Sequence, residues 1–189
     1  MTLDLRRALP PLSLVHTVVF DFDGVFTDNK VWVDQDGRES VRCDRGDGLA
    51  FDLIRSFVRR GRLNAVFMVL SREGNPVVGA RARKLKLDCH QGVGNKLEYL
   101  QRQLAGRFPD QPDPFSGVVY VGNDLNDLPI MRRVGYAVAP ADAHIRVRGA
   151  ASLVLERRGG EGCVRELVER LLGLDELSSE ELDELVSDC

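Results

Sequence analysis

Cysteine is scarce and unpaired in this 189-residue chain. The four, Cys43, Cys89, Cys163 and Cys189, are scattered with no C-x-x-C spacing. That pattern excludes a zinc ribbon and a disulfide framework, and it suits a reducing compartment. No apolar run approaches the ~20 residues that span a bilayer. Residues 1–14 hold two prolines and no long apolar core of the kind a signal peptide needs, so a cytoplasmic protein without membrane attachment is expected. A dominant charge is missing too. The formal net charge is -3, which gives no global basic field for nucleic acid; basic residues cluster locally at Arg55–Arg62, Arg81–Lys86 and Arg157–Arg158, and the first of these clusters reads as a solvated helix face. Internal repeats and low-complexity linkers are absent. What remains is an ordinary globular composition, 43% hydrophobic and 29% charged, enough for one domain with a sizeable core.

The most informative stretch runs from Val15 to Asp28. An apolar, β-branched and aromatic segment ending at Phe20 reads as a buried strand. It runs straight into Asp21 and Asp23, one residue apart, and then Gly24. In an open α/β sheet, the carboxyl ends of strands are where ligands bind. Two carboxylates there repel each other and resist burial unless a positive group sits between them. A divalent metal with oxygen ligands would resolve both problems.

The rest of the chain alternates between strand and helix patterns. Residues 30–42 read as a hairpin around an Asp-Gly turn, too small for a lid, with Val31, Trp32 and Val33 exposed as a candidate contact between copies. Residues 44–61 carry apolar side chains at helical spacing. Residues 64–70 form a strand that ends at Ser71. Asn75 and Pro76 suit the start of a helix over 77–86. A short strand over 87–90 precedes a helix opening at Lys96. Residues 117–121 form the next strand, ending in Gly122-Asn123-Asp124-Leu125-Asn126-Asp127. Short strands are expected at 136–139 and 152–155, and a helix at 161–172. Ser178 and Glu181 open a last acidic helix. This alternation predicts a Rossmann-like three-layer α/β/α fold with a parallel sheet. The expected layout is a lead-in over 1–14, one domain over 15–173 and an acidic tail over 174–189, whose packing the sequence does not decide.

Strand, Asp-x-Asp-Gly-Val-x-Thr-Asp resembles the first motif of the haloacid dehalogenase superfamily of phosphotransferases. The resemblance implies that Asp21 is the nucleophile and forms an aspartyl-phosphate. Asp23 is then general acid and afterwards general base. It further implies that Ser71 donates a hydrogen bond to the phosphoryl group, that Lys96 neutralises charge, and that residues 122–127 complete a Mg²⁺ site with Asp21 and Asp23. Asp127 falls where the second acidic residue of that cluster belongs. The superfamily's usual Asp after the glycine is Asn123 here, so either Asn123 ligates through its amide oxygen or Asp124 turns in, and the former is preferred. The physical logic holds together: cationic groups let an anionic ester approach a carboxylate.

The small hairpin in place of a cap domain, residues 80–85, Gln91-Gly92-Val93 and residues 157–166 resemble a capless branch of that superfamily. It includes 3-deoxy-manno-octulosonate 8-phosphate and nononate 9-phosphate phosphatases and a domain attached to acylneuraminate cytidylyltransferases. The resemblance implies a homotetramer acting on a phosphorylated sugar acid, with Arg72, Arg81 and Arg157 (or Arg158) as candidate substrate donors. Glu161 between two glycines, together with residues 71–76, resembles the nononate type. A nononate or N-acylneuraminate 9-phosphate is therefore the expected substrate, with the octulosonate ester second. The competing class is a non-catalytic oligomerisation module associated with a cytidylyltransferase.

Overall fold

The computed structural model describes residues 9–187 and Cys189. The expected lead-in over 1–14 falls mostly outside the described residues. Six parallel strands form the central sheet: β1 (Thr17–Phe20), β4 (Val66–Leu70), β5 (Asp88–His90), β6 (Val118–Val121), β7 (Tyr136–Ala139) and β8 (Leu153–Val154). Their spatial order is β5-β4-β1-β6-β7-β8. β1 pairs with β4 on one side and β6 on the other, so Val18 faces both Phe67 and Val119. All four β1 residues are buried, which explains a near-continuous apolar run rather than alternation.

Successive side chains leave opposite faces of the sheet, and the core divides accordingly. Val18, Phe20, Val119 and Val121 join one layer with α1 (Asp47–Arg59) and α6 (Cys163–Leu172). Phe20, Phe26 and Phe51 pack there at ring separations of 5.6–6.2 Å. Val19 and Tyr120 join the other layer with α3 (Lys96–Arg107), α4 (Leu128–Met131) and α5 (Ile145–Ala150). Helix α2 (Pro76–Leu85) starts as its sequence signals, with Pro76 at its first turn and the Asn75 side chain accepting from the Val77 N–H.

A separate two-stranded hairpin, β2 (Thr27–Val33) and β3 (Glu39–Cys43), follows β1. It is longer than the residues 30–42 expected, because pairing extends down to Thr27 and Cys43. Val31, Trp32 and Val33 are 54–60% exposed. Helix α5 had no counterpart in the sequence reading; six residues are too few for a periodic signal.

Helix α7 (Ser179–Ser187) folds back on its own chain. Ser178 and Glu181 form a reciprocal cap, each backbone N–H donating to the other's side chain. Leu185 is 1% exposed within the α1–α6 layer, and the Arg60 guanidinium donates to the Glu184 carbonyl at 2.8 Å. Leu185→Ala should lower unfolding stability by about 2–4 kcal/mol in urea titrations, whereas no change would mean that the tail is not part of the core.

Candidate active site

The sheet order reverses direction at β1, and this is where the chemistry-bearing side chains gather. Asp21 directly follows β1, with its N–H donating to the Val121 carbonyl at 2.9 Å. Ser71 follows β4 on one side, and Asn123 follows β6 on the other. Asp21, Asp23, Ser71, Arg72, Asn123 and Asp124 line one cavity of about 300 Å³, together with Asn29, Glu73 and Asn126. A wider depression of about 730 Å³ around His16 and Gly117 contains none of these aspartates.

Asp21 is 5% exposed. Its Oδ1 accepts from the Phe22 N–H at 2.7 Å and from Lys96 Nζ at 2.7 Å. Among the described residues none bonds its Oδ2. Burial first, then the charge of Asp127, pushes the Asp21 carboxyl up to about 7 against the pull of Lys96. Asp23 is raised as well, by burial and then by Glu73. Ser71 Oγ accepts from the Glu73 N–H at 3.0 Å. Its own O–H therefore remains available to a ligand.

Lys96 opens α3 yet is 5% exposed, because its stem reaches inward beneath Asp21. Nζ lies 2.7 Å from Asp21 and 2.8 Å from Asp127. Tyr120 is fully buried; its hydroxyl accepts from Lys96 at 3.2 Å and donates to Asp127 Oδ1 at 2.7 Å. The sequence reading missed Tyr120. Its signal was a lone hydroxyl-bearing side chain in an otherwise all-valine strand, since buried tyrosines need a partner for that hydroxyl.

Asp127 departs from its expected role. Oδ1 is taken by Lys96 and Tyr120, and Oδ2 accepts from the Asn123 and Asp124 N–H groups at 2.9 and 3.2 Å. With both oxygens engaged inside the protein, it does not line the cavity. Asp124 does line the cavity, but its Oδ1 caps the following turn through the Leu125 N–H. Among the described residues no three His, Cys, Asp or Glu side chains gather as a metal cluster. The oxygen donors nearest the end of β1 include two carboxylates, Asp21 and Asp23, and the buried Asn123 amide. These are hard oxygens of the kind Mg²⁺ accepts. Gly24 has φ +75°, and a Cβ there would overlap the Asn123 amide, so the glycine makes room for that donor. The set fits a magnesium ion, with one charge fewer than an all-aspartate site.

The substrate-binding candidates separate. Arg72 lines the cavity. Arg81 does not: it bonds the Asp44 carbonyl and lies 3.7 Å from the buried Asp47, joining α2 to the start of α1. Arg157 is exposed and lines neither this cavity nor its neighbour, although its backbone N–H donates to Glu166 at 2.8 Å. Glu161 lies in the neighbouring depression with Arg158 and pairs with Arg42 at 3.1 Å.

No family model matches the chain. A 3-deoxy-D-manno-octulosonate 8-phosphate phosphatase from Salmonella typhi is 31% identical over 170 residues, covering 90% of this chain and 84% of that one. A crystal structure of a HAD family hydrolase from Streptomyces avermitilis superposes with a TM-score of 0.78 at 44% identity, covering 92% and 95% of the two chains. The cobalt-bound octulosonate phosphatase of Haemophilus influenzae superposes at 0.70 with 28% identity, covering 86% and 90%. The Moraxella catarrhalis enzyme, solved with magnesium, phosphate and its sugar acid, superposes at 0.75 with 21% identity, covering 93% and 94%; at that identity it speaks for the fold alone. The aspartate pair after β1, the parallel sheet around it and these relatives agree: the chain belongs to the haloacid dehalogenase superfamily and, within it, to the phosphatase family of the 3-deoxy-D-manno-octulosonate 8-phosphate enzymes.

Proposed function

We propose that the chain hydrolyses the phosphomonoester of a sugar acid, with 3-deoxy-D-manno-octulosonate 8-phosphate as the preferred ester. The observation that carries the reaction is a buried Asp21 whose Oδ1 is held by Lys96 and the Phe22 N–H. Its Oδ2 is then the attacking atom. It bonds to phosphorus as the ester P–O bond breaks, leaving an aspartyl-phosphate. Asp23 gives its proton to the departing alkoxide, a task its raised pKa suits. It then takes a proton from the water that attacks phosphorus and frees Asp21. Ser71 and Arg72 hold phosphoryl oxygens, and Lys96 offsets the negative charge of Asp21. Asp21, Asp23 and Asn123 would hold Mg²⁺, which when bound supplies the positive charge that lets a dianionic ester approach a carboxylate.

The expectation of a nononate 9-phosphate rests on the resemblance at Glu161 and at residues 71–76; of these, Glu161 is the charged group between the glycines. Its carboxylate is paired with Arg42 outside the cavity, and the curated relative is named for the octulosonate ester. The preference therefore moves to that ester. The reading as a non-catalytic module does not stand, because the chain belongs to a phosphatase family and Asp21, Asp23, Ser71 and Lys96 are all present. The exposed Val31, Trp32 and Val33 support assembly of copies through their hairpins, as a homotetramer.

Phosphate release from the octulosonate 8-phosphate should require Mg²⁺ and exceed release from a nononate 9-phosphate in kcat/KM; the reverse order would return the preference to the nononate. Asp21→Asn should lose roughly 10⁴-fold in kcat, and near-normal turnover would remove Asp21 as nucleophile. In the metal-free protein, the Asp21 carboxyl near 7 against 3.8 unfolded gives the folded state more bound protons, so stability falls as pH rises between them. Mg²⁺ should raise Tm more at about pH 8 than at about pH 5.5; an equal shift at both would contradict ligation by Asp21. Sedimentation should give a tetramer that Trp32→Glu dissociates, and a wild-type monomer would refute the assembly.

A further inference from the structure

Two non-glycine residues among those described adopt a left-handed backbone, Lys86 at φ 58° and Asn29 at φ 60°. Lys86 is accounted for by its position. It caps the C-terminus of α2, its N–H bonding back to Ala82 and Arg83, and helices commonly end this way. Asn29 has no such duty. It lies within β2, at the point where pairing with β3 slips between Thr27 and Val31.

The turn around Asn29 is built by its neighbours. Thr27 Oγ1 accepts from the N–H groups of both Gly24 and Asn29, at 3.1 and 3.2 Å. Asp28 is paired with Arg42 at 3.1 Å, and its backbone lies against Gly160, where a Cβ would not fit. Glycine would serve this backbone without strain. When asparagine occupies such a position, its side chain usually bonds nearby backbone in compensation. The Asn29 amide makes no hydrogen bond to a described residue; it lines the cavity with Asp21, Asp23, Ser71 and Asn123. Strain of this kind, held in place by surrounding structure, concentrates where a side chain must meet a ligand.

The chemistry of the cavity indicates what that side chain does. Asp23, Glu73 and Asp124 offer acceptors, Ser71 and Arg72 are donors, and the amides of Asn29, Asn123 and Asn126 can serve as either. A phosphoryl group would occupy those donors. Asn123 is assigned above to the metal, and of the other two amides Asn29 is the one held on a left-handed backbone, so its NH₂ group is the donor offered to a hydroxyl beside the ester oxygen. We infer that Asn29 is a specificity-determining residue whose amide donates to a substrate hydroxyl near the phosphoester, favouring polyhydroxylated esters over aryl phosphates. This rests on the phosphatase reading above.

The test compares wild type, Asn29→Gly and Asn29→Asp on p-nitrophenyl phosphate and on the better of the two sugar-acid esters. Asn29→Gly keeps the left-handed backbone, and Asn29→Asp keeps the shape but loses the donor. The ratio of kcat/KM for the sugar ester to that for the aryl ester should fall roughly tenfold in the Gly variant, mainly through KM, and further in the Asp variant. Tm of the Gly variant should not fall. A ratio within about twofold of wild type in both variants overturns the inference. So does an equal loss on both substrates with a lowered Tm, which marks a structural role. Aryl turnover with neither sugar ester hydrolysed also overturns it, while no turnover of any ester by the wild type removes the phosphatase reading beneath it.

Discussion

The site depends on one buried ammonium. Lys96 Nζ sits between Asp21 and Asp127, 2.7 and 2.8 Å away, with all three side chains almost fully removed from water. Two carboxylates cannot be buried this close together without such a cation. Tyr120 and the N–H groups of Asn123 and Asp124 complete the arrangement by filling the remaining valences of Asp127. The ladder fixes the loop after β6 relative to the loop after β1, and so sets where Asn123 stands with respect to Asp21. Removing Lys96 would leave two uncompensated buried charges, so positioning and catalysis cannot be separated at this residue.

The fold supplies that ammonium from a distance. Lys96 belongs to a helix following the edge strand β5, two strands from β1. Its long side chain brings Nζ to Asp21, while Ser71 arrives directly from the end of β4. Parallel topology places the loops after β1, β4 and β6 at the same end of the sheet, which is why three segments far apart in the chain converge on one cavity, with Lys96 bonded to Asp21 at its base. On the opposite flank, the loop before α6 holds the β1–β2 turn. Gly160 N–H and Cys163 Sγ both reach the Val25 carbonyl, at 3.0 and 3.2 Å. The turn that carries Asp23, Gly24 and Asn29 is therefore clamped rather than loose.

Much of this was legible in the sequence where strand-end position alone decides location. Asp21, Asp23, Ser71 and Asn123 all follow apolar runs, and all line the cavity. Legibility failed where a long side chain has a choice of partners. Arg81 goes to Asp47 and the Asp44 carbonyl because the packing of α1 on α2 brings them together. Glu161 meets Arg42 across 119 residues of sequence. Asp127 looked like a ligand from its spacing, but spacing does not reveal that Tyr120 and Lys96 claim it first. The tail helix shows the same limit: its cap was readable from Ser178 and Glu181, whereas the destination of Leu185 is a property of the assembled core.

The central claim is that Asp21 itself carries the phosphoryl group between ester and water. The direct measurement is chemical trapping: a single turnover with Mg²⁺ is quenched in acid, reduced with borohydride, and the peptide around β1 is sequenced by mass spectrometry. Reduction of an acyl phosphate converts that aspartate to homoserine, so the account predicts homoserine at position 21 and unaltered aspartate at position 23. Phosphate release with Asp21 unmodified throughout the turnover, or homoserine at position 23 instead, would contradict it.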